Sequence, residues 1–310
     1  MHALRRVEAV SGAMPFAHTP FDGSHPAFRI GLAPLDLADW IEADGRLDEF
    51  LEQKEALFAQ FGERILRAEP GTQAAQAEVL DLLADHLPAR FPAIYRRDGD
   101  VMGIGASRRV RLADPVRQPL AIAASLVQED LVLMRRGETG WRLAAASLHF
   151  PSSWSLAEKF SRPLDEIHKP VPGFGPGSRN ASLMGRIFDN LAVERPVWRL
   201  NWSLYSDGQL WHGDRTSEHA AKKAATHAAR MFLRIEYQTL RRLERSGDIL
   251  FTIRIHADPL AAISRHPDRA ALCEKLAAAL ESLEPAQLAY KGMAESRDRL
   301  AAEIRAMASA

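Results

Sequence analysis

Three late segments constrain this chain more than anything else in it. Pro196–Tyr205 (PVWRLNWSLY), Met231–Leu243 and Ile249–His256 each alternate apolar and polar residues. Successive side chains of a strand point to opposite faces, so the pattern predicts strands with one buried face. Ser246-Gly247-Asp248 between the last two predicts a hairpin turn. Sorted by parity, Arg199, Asn201 and Ser203 share one face, as do Arg234, Glu236 and Gln238, and Thr252, Arg254 and His256. The expectation is one sheet face that collects all three polar sets. A solvated outer face has the same signature. Arginine, never lysine, on each of these strands favours a binding face, because a planar guanidinium suits bidentate contact with carboxylates.

A hairpin is also expected upstream, with Leu131–Met134, a turn through Arg135–Gly140, and Trp141–Phe150 as its second strand. Helical spacing marks Leu47 to Arg67, Gln73 to Leu87 with Pro88 as its stop, Leu120 to Gln128, Asn180 to Leu191, and most of the chain after Pro259. Asp36 or Asp39 is placed to cap a helix entering at Trp40. Residues 1–35 suggest an ordered arm, and Asp207–Ala229 a loop leading into a helix. Strands grouped among helices predict an α+β fold with an antiparallel sheet. One domain over 1–310 is expected, with 1–95 mostly helical, 96–256 the sheet core with inserted helices, and 257–310 C-terminal helices.

Between the two sets of strands runs Leu148–Gly173, LHFPSSWSLAEKFSRPLDEIHKPVPG. Ser155 followed by Glu158 predicts a capping box and a helix from Leu156. Pro163 suits the first turn of a second short helix, which Pro170 and Pro172 prevent from continuing past His168. Phe150, Trp154, Phe160 and Phe174 supply apolar bulk around that imidazole. An axial ligand to a flat apolar cofactor is one reading. A histidine that caps a helix C-terminus is the other.

Several function classes are disfavoured. Lysine plus arginine and aspartate plus glutamate both total 40, so no polyanion-binding surface is expected. The segment MHALRRVEAVSGAMPFA lacks the apolar core of a signal peptide and no long apolar run follows, so neither membrane nor export is expected; a cytoplasmic protein is. The single cysteine, Cys273, excludes a cysteine-ligated iron–sulfur cluster or zinc ribbon within the chain. Gly103-Ile104-Gly105 lacks the third glycine of a dinucleotide fingerprint, and Gly173, Gly175 and Gly177 sit in a proline-rich loop. His212, His219 and His227 have no tight metal-ligand spacing. Ser152-Ser153 lacks the setting of a hydrolase elbow. The carboxylates of Gln128-Glu129-Asp130 are read as structural.

Taken together, SLVQEDL (125–131), the 148–173 stretch, RPVWRLNWS (195–203), IEYQTLRRL (235–243) and SGDILFTIR (246–254) resemble one family. It is that of the haem-binding alpha subunit of haem-dependent oxidative N-demethylase; FRIGLAPLD (28–36) and YKGM (290–293) also fit. The resemblance implies a PAS-like sheet, a histidine-ligated haem b, and oxidative demethylation of a small secondary amine with O₂. It further implies electrons delivered through separate flavin and iron–sulfur subunits. On that basis His168 is the expected iron ligand, with His149 its rival. Phe150, Trp154 and Phe174 would flank the ring, and Arg199, Arg234, Arg241 and Arg254 are candidates for pairing with its propionates or for the distal pocket. Glu236, His256 and Arg254 would serve the substrate side. The family pattern nearer Glu-Arg-Gln-Thr-Leu and Thr-Ile-Arg-Thr-Tyr is replaced here at Tyr237, Ile255 and His256. A non-catalytic haem sensor or carrier on the same fold is one alternative, and a haem-free chain whose arginine face holds a small carboxylate is another.

Overall fold

The computed structural model describes residues 15–23, 27–152, 154–212 and 222–309. His219 lies outside the described residues. The chain enters with a short strand β1 (Ala33–Pro34), helix α1 (Leu47–Phe61), strand β2 (Leu66–Ala68) and helix α2 (Gln73–Arg90). Strands β3 (Tyr95–Asp98), β4 (Val101–Ile104) and β5 (Arg108–Arg111) form a separate small sheet. After helix α3 (Pro119–Ala124) come the paired strands β6 (Asp130–Gly137) and β7 (Gly140–Ser147). Helices α4 (Leu156–Lys159), α5 (Leu164–Ile167) and α6 (Arg179–Asn190) follow, then strands β8 (Val197–Tyr205), β9 (Phe232–Arg242) and β10 (Ile249–Pro259). Helices α7 (Arg269–Glu281), α8 (Pro285–Lys291) and α9 (Arg297–Ala306) close the chain.

The large sheet is antiparallel throughout, in the order β1-β8-β9-β10-β6-β7-β2. Its five long strands, counted along the chain, run 2-1-5-4-3 from the β7 side, the order of a PAS-like sheet. The fold is therefore α+β, and helices α4–α6 are the connection between the second and third long strands. Alternation decides which side of the sheet each residue serves. On β8, Leu200, Trp202 and Leu204 are buried with Leu233 and Ile235 of β9 in the core shared with α2 and α7. A second cluster on the other side joins Val132, Met134, Ile253 and Ile255 to Leu164, Met184 and Phe188 of the inserted helices and to Phe174 of the turn between α5 and α6.

Several local expectations are corrected. Helix α1 stops at Phe61, because Gly62 leaves helical geometry (φ 44°, ψ −107°), and residues 66–68 join the sheet edge instead. Helix α2 runs past Pro88 to Arg90. Asp36 caps only a single 3₁₀ turn, Leu37–Asp39. Helix α3 ends at Ala124, short of Gln128. Ser155 makes no side-chain cap, so no capping box forms, and Pro163 stands at the N-cap of α5 instead of within its first turn.

The largest correction concerns the polar face. In an antiparallel pair, residues directly opposite share a face. Gln238 faces Arg199 and Glu236 faces Asn201 on β8, as parity suggests. On β10, however, Glu236 is opposite Ile255, and Arg254 is opposite Tyr237. Arg254 and His256 therefore stand on the far side from Arg199, Glu236 and Gln238.

Candidate functional site

A cavity of about 270 Å³ opens between the β8–β9–β10 face and helices α4–α6. Its walls are largely apolar, with Phe28, Ile30 and Leu32 from the N-terminal arm, Leu164, Phe174 and Phe188 from the helical side, and Leu240, Phe251 and Ile253 from the sheet. Among the described residues five basic side chains also line it, Lys159, Arg199, Lys223, Arg234 and Lys291, against one carboxylate, Glu236. An apolar chamber with a basic excess suits a flat hydrophobic ligand that carries acidic groups.

His168 ends α5 as its C-cap residue and lines this cavity. Its Nδ1 lies 2.7 Å from the carbonyl oxygen of Leu164. A carbonyl can only accept, so Nδ1 carries the proton and Nε2 keeps its lone pair. Nε2 makes no hydrogen bond among the described residues. Burial drives the imidazole pKa down to about 4, so it is neutral at physiological pH. A fixed ring, a defined tautomer and a free lone pair meet what a metal requires of histidine. The Phe174 ring lies 6.5 Å away, and Phe150 and Trp154 also line the chamber. His149 is not among the lining residues; its Nδ1 sits 3.5 Å from Asp130.

Arg199 projects from β8 into the same space. It makes no hydrogen bond with a described residue, and its Nε is a buried donor with no acceptor. Burial pulls its pKa down, offset by the Glu236 charge nearby. Such an orphan costs stability unless a ligand satisfies it. Glu236 Oε2 accepts from Gln238 at 2.7 Å and Asn201 at 3.3 Å, which leaves Oε1 without a hydrogen bond among the described residues.

Arg234 is also at the cavity, but its guanidinium is spent on the chain itself. It donates to Ser152 Oγ (2.9 Å) and to the carbonyls of Phe150, Gln209 and Leu210, so it ties two loops together. Arg241 is not at the cavity. It stands on the far face with its guanidinium 4.7 Å from the centre of the Trp40 ring. Arg254 is 1% exposed, paired with Asp44 at 2.7 Å and stacked 4.2 Å above Phe50. His256 bonds Glu42 at 2.8 Å. Arg241, Arg254 and His256 are thus removed from the cavity by strand parity.

Sequence reasoning missed Lys291 and Lys223. Lys291 is 7% exposed, donates to the Trp202 carbonyl, and is held at about pH 8 by burial, against the Glu236 charge. Lys223 bonds the Lys291 carbonyl at 2.6 Å. The signal was the YKGM string, where Gly292 (φ 65°) ends α8 immediately after Lys291. Among the described residues no helix is long and apolar enough to cross a membrane. A family model described as haem-dependent oxidative N-demethylase, alpha subunit-like, matches residues 31–301, which include every lining residue except Phe28 and Ile30.

Proposed function

Because the chain belongs to the haem-dependent oxidative N-demethylase alpha-subunit-like family, we propose that it is the haem-binding component of an oxidative demethylase that acts on a small secondary amine. The observation that carries this reading is the pairing, across one apolar cavity, of the tied-back His168 imidazole with the unpartnered Arg199 guanidinium. Haem b would lie between them, with His168 Nε2 as iron ligand and Arg199 and Lys291 facing the propionates. Bound haem supplies the O₂-dependent oxidation of a carbon next to nitrogen.

The protein's own groups would do the rest. Leu164 fixes the tautomer of the ligand, and the phenylalanine walls exclude water. Glu236, held by Gln238 and Asn201, presents one free carboxylate oxygen to a protonated amine or to a proton in transit. With one cysteine and no dinucleotide fingerprint, the chain depends on separate subunits, of flavin and iron–sulfur type, for electrons. The five long strands draw on residues from 130 to 259, and the arm and C-terminal helices both reach the cavity, so we read the chain as one functional unit.

The test is an absorption titration of haem into wild type and His168→Ala. Wild type should take up one haem with a histidine-ligated Soret spectrum. The variant should bind at least about tenfold more weakly, with an altered spectrum that added imidazole restores. An unchanged spectrum and affinity would remove His168 from the iron. A wild-type spectrum that never responds to dimethylamine or a reductant would replace the demethylase by a haem sensor or carrier.

A further inference from the structure

On the face of the sheet away from the cavity, Glu42 is held between two imidazoles. His18 Nε2 lies 2.7 Å from one carboxylate oxygen and His256 Nε2 lies 2.8 Å from the other. One ligand-type atom from each of the three residues falls within 4.8 Å of the other two. The rings of His18 and His256 meet edge-on at 5.1 Å, and Tyr237 stacks on His18 at 5.2 Å, so both imidazoles have limited room to turn away. His256 sits on a central strand, Glu42 follows a short 3₁₀ turn, and His18 belongs to the N-terminal arm, outside the range matched by the family model.

Charge accounting distinguishes this cluster from its neighbours. Arg254 is taken by Asp44, and Lys54 by the carbonyls of Ala124, Val127 and Glu129. Among the described residues Glu42 has no lysine or arginine partner, and its ion-pair partners there are the two histidines. Its backbone N–H donates to Glu129 at 2.9 Å, which fixes the turn that presents the carboxylate. The three side chains are 12–26% exposed, so the cluster is partly shielded yet reachable from solvent.

We propose that His18, Glu42 and His256 form a binding site for a divalent transition-metal ion of the zinc class. Two imidazoles and one carboxylate favour zinc, cobalt or nickel over calcium or magnesium, which prefer all-oxygen shells. Three protein ligands leave a fourth position for water. Ligand distances of about 2.0–2.2 Å require only small rotations of groups already this close. The ion replaces the N–H···O contacts between Glu42 and each ring, and it fastens the N-terminal arm to β10 and the Glu42 turn. The site is independent of haem, and its failure would leave the demethylase reading untouched.

The experiment is a Co²⁺ titration of the untagged, haem-free full chain, followed by visible absorption, with Zn²⁺ competition and thermal unfolding as second readouts. Wild type should bind one Co²⁺ with the intense visible bands of a four- or five-coordinate site, and Zn²⁺ should displace it and raise the unfolding midpoint. His256→Gln and Glu42→Gln should each weaken binding more than about 100-fold, beyond what loss of a supporting contact costs. His18→Gln, placed on the arm where folding is least at risk, should abolish the rise in midpoint. His227→Gln, an exposed histidine paired with Glu303, should leave Co²⁺ binding unchanged. Equal binding by wild type and His18→Gln, or no saturable uptake by wild type, would overturn the site.

Discussion

The two faces of the central sheet handle charge in opposite ways. On the far face four named groups have charged or aromatic partners, Arg254 with Asp44, His256 and His18 with Glu42, and Arg241 over Trp40, although Arg254 Nε and Glu129 Oε2 are left without a hydrogen bond. On the cavity face, among the described residues, Arg199 has no hydrogen-bond acceptor, Glu236 keeps one oxygen without a hydrogen bond, and basic groups exceed acidic ones. Burial penalises an unpaired charge, and a guanidinium with no ion pair or hydrogen bond among the described residues, such as Arg199, is the one that a ligand would stabilise most. The far face pairs its main charges within the chain, whereas the cavity face leaves Arg199 and one oxygen of Glu236 to be completed by the ligand proposed above.

The sharpest way to break this comparison is to remove a charge from the far face. Arg254→Met leaves Asp44 without its guanidinium partner and should cost about 3 kcal/mol of stability, read as a lower denaturant midpoint at constant slope. A near-neutral result would mean that the two faces do not differ. Lys291→Met on the cavity face should behave in the opposite manner. It gives up one carbonyl contact but relieves a buried ammonium already held at about pH 8, so stability should stay within about 1 kcal/mol while haem affinity drops about tenfold. Glu236→Gln should leave haem binding intact and lower turnover with amine, separating the two ends of the cavity by activity assay alone.

The smallest expected effect concerns pH. His86 packs against Trp40 on the far side, and burial, with Arg241 and Arg90 nearby, lowers its pKa to about 4. The unfolded chain takes up this proton near pH 6.5 while the folded chain resists. Stability from this group is therefore complete above pH 6.5 and declines as the pH falls towards 4. His86→Gln should flatten that slope by about 1 kcal/mol once solvent screening is allowed for.

Much of this architecture was legible in the chain. The alternation in Val197–Tyr205 and Phe232–Arg242 located both strands, and prolines around His168 located the helix end that holds the imidazole. What misled was one turn. A three-residue turn at Ser246–Asp248 would pair residue 245 with 249 and put even positions opposite even ones. The connection is longer: Arg242 pairs with Ile249, and the Leu243 N–H bonds the Asp248 carbonyl. Even positions of β9 then face odd positions of β10, and a one-residue change in register moves every side chain of a strand to the other face. Arg254 and His256 left the cavity for this reason. The β3–β5 sheet was missed because its strands are short, arginine-rich and interrupted by glycine, which gives alternation little length to show. Lys291 and Lys223 come from segments remote in sequence, and although the YKGM string marks Lys291, no local pattern announces that Lys291 bonds the Trp202 carbonyl while Lys223 bonds the carbonyl of Lys291.

The most direct test of the central claim is Arg199→Met, measured twice on the same preparation. Haem-free variant should unfold at the wild-type midpoint or above it, because an unsatisfied buried guanidinium has been removed, while haem affinity should fall about tenfold or more. A variant that loses stability and binds haem as tightly as wild type would show that Arg199 serves the fold, and the account of the cavity face as a surface awaiting its ligand would be wrong.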